Sequence, residues 1–157
     1  MSKYIMRFDG MEYRFLSNFY PSVITLDHLY LDNSITEPRS YATLEHAYQA
    51  TKTFNMDERE EIRTAKDAYA AKRLGKILEL RSDWEAIKDE VMLDLLRRKF
   101  SDEHPELKEK LIATGEDHLV EGNTWHDNHF GVCVCISCGS IGKNMLGELL
   151  MKVRSEL

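Results

Sequence analysis

The stretch that decides the fold is Thr43-Leu44-Glu45-His46-Ala47-Tyr48-Gln49-Ala50-Thr51-Lys52. Here the pattern turns helical. Thr43 is a good N-cap, because its hydroxyl can accept from a free N–H of the first turn. The spacing predicts a helix over 44–53, with Leu44, Ala47, Tyr48 and Thr51 on one face and Glu45 and Gln49 projecting together. Ahead of it the apolar runs are short and broken by turn formers. Residues 4–8 and 11–15 flank Asp9-Gly10, a hairpin signal, and 23–26 and 29–31 make a second candidate pair around Asp27-His28. Residues 32–40 read as an exposed loop.

Beyond it the helical pattern persists. Helices are predicted over 57–65 and 67–77. Ser82-Asp83-Trp84-Glu85 is a capping box opening a long helix striped by Trp84, Ile87, Val91, Leu95 and Leu96. Pro105 starts another helix and Gly115 ends it. A short strand is expected over 118–121 and a long loop over 121–142. A closing helix is expected over 144–157, with Met145, Leu149, Val153 and Leu157 near one face. The expectation is an α+β chain, a single helix-dominated domain over 1–157 with short N-terminal strands.

The 157 residues are 43% hydrophobic and 31% charged, a balance that suits one domain with a packed core. No apolar run nears the roughly 20 residues that span a bilayer, and the first residues lack a signal-peptide core, so the expected location is cytoplasmic with no membrane partner. A net charge of -6 argues against a protein that coats nucleic acid, although a pocket for one phosphorylated or modified nucleotide remains compatible. The three cysteines, an odd count, argue against a disulfide framework.

Several segments carry candidate chemistry, each with a plainer reading beside it. In FLSNFYP (15–21), Phe19 or Tyr20 would stack a flat base and Asn18 would read polar edges; otherwise the aromatics are core and Asn18 caps a turn. Glu45, Gln49 and Lys52 form either one wall of a polar pocket or a solvated face. Trp84 is core, a ligand platform, or both. In 121–131, Asp127 is a candidate second acid and His126 and His129 candidate proton carriers, against a turn-rich loop satisfying its own backbone. Cys133, Cys135 and Cys138, with the upstream histidines, are either a Cys₃His zinc set or free thiols. Gly142-Lys143-Asn144 precedes a helix and would suit a phosphate, although it is not a P-loop.

Taken in order, FLSNFYP (15–21), EHAYQATK (45–52), RSDW (81–84), KF (99–100), LVE (119–121), HDNHFG (126–131) and GKNMLGELLMKVR (142–154) resemble the NADAR family, which includes the YbiA-type N-glycosidases. The resemblance implies hydrolysis of N-glycosidic bonds, in phosphoribosylamino-pyrimidine intermediates of riboflavin synthesis or in ADP-ribosylated guanine of DNA. By position it places the family's glutamate on Glu45, its tryptophan on Trp84 and its aspartate on Asp127. This chain departs from the family with Phe130-Gly131 where Trp-Gly is common, with Thr43-Leu44 before the glutamate, and with a longer segment over 27–40.

Within that reading, Glu45 stabilises positive charge at C1 and takes a proton from water. Asp127, aided by His126, protonates the departing nitrogen. Trp84 and Phe19 stack the base or hold the ribose. Asn18, Gln49 and Asn144 orient hydroxyls, while Gly131, Lys143 and the helix start at 142–144 complete substrate binding. A variant gives Lys52 the central role through an imine. The scheme requires no redox cofactor and no metal. Its substrate is a small ribosyl phosphate, an ADP-ribose compound, or ADP-ribosylated guanine in DNA. The other readings are a non-catalytic ADP-ribose binder and a zinc-dependent interaction module.

Overall fold

In the computed structural model, which describes residues 1–27 and 37–157, β2 (Pro21–Leu26) shows why the early strands form. Ser22, Ile24 and Leu26 are buried while Pro21, Val23 and Thr25 face outward, a period of two with one covered face. Its partner is β3 (Arg39–Thr43), antiparallel, with Ile24 opposite Tyr41 and Leu26 opposite Arg39. Part of the expected loop over 32–40 is therefore strand. Pro38 and Arg39 obscure the alternation that continues through Tyr41 and Thr43, both buried. The expected strand over 29–31 lies outside the described residues.

Thr43 ends β3 and caps α1 (Leu44–Thr51), its hydroxyl accepting from the His46 N–H. α2 (Met56–Arg63) and α3 (Ala68–Gly75) are capped by the side chains of Asn55 and Asp67. α4 (Trp84–Lys99) buries Trp84, Val91, Met92, Leu95 and Leu96. Together β2, β3 and α1–α4 form a compact unit spanning 18–99. All eight residues of α1 are buried, because α2, α3, α4, β2 and β3 all pack on it. That removes the solvated-face reading of Glu45 and Gln49.

A second compact unit holds 1–17 and 100–157. Here β1 (Tyr4–Ile5) pairs in parallel with β4 (His118–Leu119), and β5 (Gly122–Asn123) with β6 (Val132–Cys133). The expected hairpin at Asp9-Gly10 does not form. Residues 11–13 turn and Arg14–Leu16 make a 3₁₀ helix. Phe15 and Leu16 are neighbours and both buried, which a strand with alternating faces and one buried side cannot offer. A turn signal marks where a chain bends, not which run it pairs with.

α5 (Pro105–Ala113) starts at its proline and terminates at Gly115, whose φ is +57°. The closing helix α6 (Met145–Glu156) packs on β4 and buries Leu146, Leu150 and Val153. Of the expected stripe Val153 is buried, Met145 and Leu149 are half-buried and Leu157 is exposed, while Leu146 and Leu150 are buried beside them. Each of those two one-residue displacements is a rotation of about 100° about the helix axis. Among the described residues no helix is long and apolar enough to cross a membrane.

Candidate active site

A helix buried on all sides would ordinarily be apolar, yet α1 carries Glu45, His46 and Gln49 at 6%, 1% and 4% exposure. Polar groups removed from water must find partners. His46 does so completely. Its Nε2–H donates to the Ala65 carbonyl at 3.1 Å, which leaves Nδ1 to accept from the Thr43 hydroxyl at 2.8 Å. His46 is thus a structural tie between the start of α1 and the end of α2.

Glu45 has a partner on its own helix. Gln49, one turn on, donates from Nε2 to Glu45 Oε1 at 2.6 Å. Burial pushes the Glu45 carboxyl up from its ordinary range, while the Gln49 hydrogen bond and the ammonium groups of Lys72 and Lys52 pull it partly back. Gln49 Oε1 is buried with no hydrogen-bond partner among the described residues, and Asn18 Oδ1 shares that condition. The room for the Gln49 carbonyl comes from Gly75: any Cβ there would collide with it.

Lys52 follows at the C-terminal end of α1. Its Nζ lies 5.3 Å from the centre of the Tyr48 ring and 6.0 Å from that of Trp84. Those two rings pack edge to face, 5.1 Å apart. Burial lowers the Lys52 amine below the usual lysine range, opposed by the Glu45 charge and reinforced by Lys72 and Lys88. A carboxyl driven up and an amine driven down, close enough to influence each other, make these two residues candidates for a functional site.

Arg81 positions this end of the helix. Its backbone N–H donates to the Lys52 carbonyl at 2.8 Å, satisfying a group left over by the helix terminus. Its guanidinium forks onto Asp83 at 2.7 and 3.0 Å and lies over the Phe54 ring, 4.3 Å from its centre. One buried arginine thereby holds Lys52 and the first turn of α4, which carries Trp84. Phe19 is half-buried, packs edge to face on Tyr69 at 4.7 Å, and has Lys72 Nζ 5.6 Å from its ring centre. The Asn18 carbonyl accepts from the Glu45 N–H at 3.1 Å, so FLSNFYP is tied directly to the helix. A groove between α2 and α3, lined by residues such as Glu61, Ala65, Arg73 and Ile77, contains none of these groups.

The structure thus brings Asn18, Phe19, Glu45, Gln49, Lys52 and Trp84 into the unit spanning 18–99. Sequence reading missed Lys72 and Arg81 as members of the set. Lys72 looks like an ordinary basic residue in the last turn of α3, and nothing local in the sequence shows which face meets α1.

The remaining candidates, Asp127, His126, Gly131, Lys143 and Asn144, belong to the other unit. Asp127 Oδ1 accepts from the N–H groups of His129 and Phe130 at 3.1 and 3.0 Å, while Asn123 clasps the Asp127 backbone on both sides. Asn144, left-handed at φ 52°, spends Oδ1 on the Glu121 N–H and Nδ2 on the Leu119 carbonyl. The expected phosphate cradle at 142–144 is not open. The N–H groups of Lys143, Asn144, Met145 and Leu146 all donate to carbonyls of the 128–131 segment. Gly142 is required because its α-carbon lies against the Gly131 and Val132 backbone, not because an anion approaches. Gly131 is buried and Lys143 exposed. His126 Nδ1 faces Cys133, Cys135 and Cys138. Contacts with Ser137 and the other cysteines hold the Cys135 thiol down at about 6.

The NADAR domain model matches residues 6–157. N-glycosidase YbiA of Escherichia coli is 39% identical over 121 residues, covering 76% of this chain and 72% of that protein. An N-glycosidase of Nostoc punctiforme is 33% identical over 152 residues, covering 92% and 86%. A riboflavin biosynthesis protein of Vibrio vulnificus is 36% identical over 149 residues, covering 91% of this chain and 35% of that longer protein. The NMR structure of E. coli YbiA superposes with a TM-score of 0.75 at 34% identity, covering 99% of this chain and 86% of that one. The chain shares its α+β fold with YbiA, and the relatives named here include N-glycosidases. The chain belongs to the NADAR family.

Proposed function

We propose that this chain hydrolyses the C1–N bond of a ribosyl or ADP-ribosyl compound and that Glu45 is its central carboxylate. The observation that carries the reading is the buried Glu45 carboxyl, oriented by Gln49 and raised by burial, in a setting that includes two lysines and the Tyr48–Trp84 pair. Positive charge builds on C1 and the ring oxygen as the C–N electron pair leaves with the nitrogen, and a nearby carboxylate stabilises it. Water then bonds to C1 while Glu45 takes its proton. A carboxylate whose pKa is raised by burial accepts that proton more readily than an ordinary glutamate. The departing nitrogen also takes a proton.

The relatives' names, N-glycosidase and riboflavin biosynthesis protein, support a substrate with an N-glycosyl bond. The preferred substrates are a phosphoribosylamino-pyrimidine or ADP-ribosylated guanine. Lys72 and Lys52 are the cations of this unit suited to phosphate oxygens.

One observation favours a second reading. The lowered Lys52 amine is a better nucleophile than an ordinary lysine. After ring opening it would add to C1, the original nitrogen would leave as the protonated amine, and water would then hydrolyse the Lys52 imine. Turnover of both substrate types, followed by borohydride reduction and peptide mapping, tests the two together. Hydrolysis with no adduct on Lys52 supports the Glu45 scheme. A stoichiometric Lys52 adduct supports the imine route. ADP-ribose binding without hydrolysis of either substrate removes both.

A further inference from the structure

We propose that His126, Cys133, Cys135 and Cys138 bind one structural Zn²⁺. The Nδ1 atom of His126 lies 3.2 Å from Cys138 Sγ, 3.5 Å from Cys135 Sγ and 3.8 Å from Cys133 Sγ. All four candidate ligand atoms fall within 4.8 Å of one another. In a tetrahedral zinc site with Zn–S of about 2.3 Å and Zn–N of about 2.05 Å, the N–S edge is about 3.6 Å and the S–S edge about 3.8 Å. The observed N–S spacings bracket that value.

Hydrogen bonding does not account for this convergence. A ring nitrogen carries either one hydrogen or one lone pair, so Nδ1 can serve one sulfur in line, not three. A disulfide would use two of the thiols and leave the third facing the imidazole, and all three cysteines are free. A cation at the centre of the four atoms satisfies every one of them at once. Three thiolates and one imidazole in a small tetrahedral frame select zinc over the hard cations, which take oxygen ligands and larger coordination numbers.

The backbone supports the same assignment. Cys133 is buried on β6, its N–H bonded to the Ile141 carbonyl at 3.0 Å, which closes the segment between them into a hairpin-like turn. Within that turn the Cys138 N–H points at Cys135 Sγ at 3.4 Å, and the Ser137 hydroxyl lies 3.2 Å from the same sulfur. Such donors stabilise thiolate charge beside a metal. His126 reaches in from the preceding loop with φ at 67°. Because the protein supplies all four ligands, no position is left for water or substrate, and the metal's work is structural. It staples a long segment whose strands are only two residues each and whose Trp125, Ile136 and Ile141 side chains are exposed.

The test uses the full chain expressed in zinc-supplemented medium and purified without chelator under reductant. Elemental analysis is expected to find one zinc per chain. Replacement by Co²⁺ is expected to give thiolate-to-metal charge transfer with intense tetrahedral d–d absorption. The double variant Cys135→Ser/Cys138→Ser should lose both signals, and His126→Ala should weaken cobalt affinity by tenfold or more. EDTA should lower the Tm of the wild type and leave that of the double variant unchanged. Should the reduced wild-type protein lack stoichiometric zinc and show no tetrahedral cobalt spectrum on loading, the proposal is overturned, whatever the variants do. A Cys135–Cys138 disulfide in freshly isolated protein overturns it equally.

Discussion

Gln49 holds Glu45. The two side chains sit one helical turn apart on α1, both buried, joined by a 2.6 Å hydrogen bond from the amide to the carboxylate. Glutamine donates here as a neutral group, so it orients the carboxyl without bringing a compensating charge.

Glu45→Gln preserves the shape and the acceptor that Gln49 needs. The variant is expected to fold and to lose at least about 100-fold in turnover, the range for removing a general base. It should also be more stable than the wild type near neutral pH. The folded carboxyl has a raised pKa, so its contribution to stability is fully present below the unfolded value of about 4.3 and is lost as pH climbs through the folded value. Urea midpoints at about pH 4 and pH 8 check this: the stability gain of the variant should appear only at the higher pH.

Gly75→Ala tests the orientation of Gln49. Alanine is the better helix former by about 1 kcal/mol, so the substitution should not unfold α3. Its methyl group must displace the Gln49 carbonyl, loosening the grip on Glu45. The expected result is a Tm within a few degrees of the wild type and a kcat lowered several-fold. An unchanged kcat would show that Gln49 does not set the working geometry of the carboxylate.

Lys72→Met removes an ammonium that favours the ionised form of Glu45. The Glu45 pKa should therefore rise further. The acid limb of kcat/KM, which follows deprotonation of the base, should move to higher pH. A pH–rate profile of wild type and variant reads the shift. Movement in the other direction would remove Lys72 from the electrostatics of the carboxylate.

Thr43→Val deletes the hydroxyl that caps α1 and donates to His46 Nδ1. It leaves a buried imidazole nitrogen and a helix N–H without their partner, a loss of about 1 to 3 kcal/mol. Equilibrium denaturation measures it, and Thr43→Ser, which restores the hydroxyl, should recover most of the difference.

Much of this was legible in the chain itself. The cap at Thr43, the start at Pro105, the stop at Gly115 and the pairing of Glu45 with Gln49 depend on neighbours three or four residues apart, where backbone geometry alone brings groups together. Pairing between distant segments was not legible. The Asp9-Gly10 turn joins no hairpin, because β1 finds its partner at β4, and β2 takes β3.

The sequence by itself determined that the chain has a helix bearing Glu45, Gln49 and Lys52, because helical periodicity is local chemistry. Only the tertiary structure decided what surrounds that helix. Packing on every side removed water from Glu45 and Lys52, and loss of hydration drives a carboxyl up and an amine down. The same holds for Cys133, Cys135 and Cys138, which in sequence are three thiols near two histidines. The loop alone selects His126, and not His129, as the imidazole that faces all three.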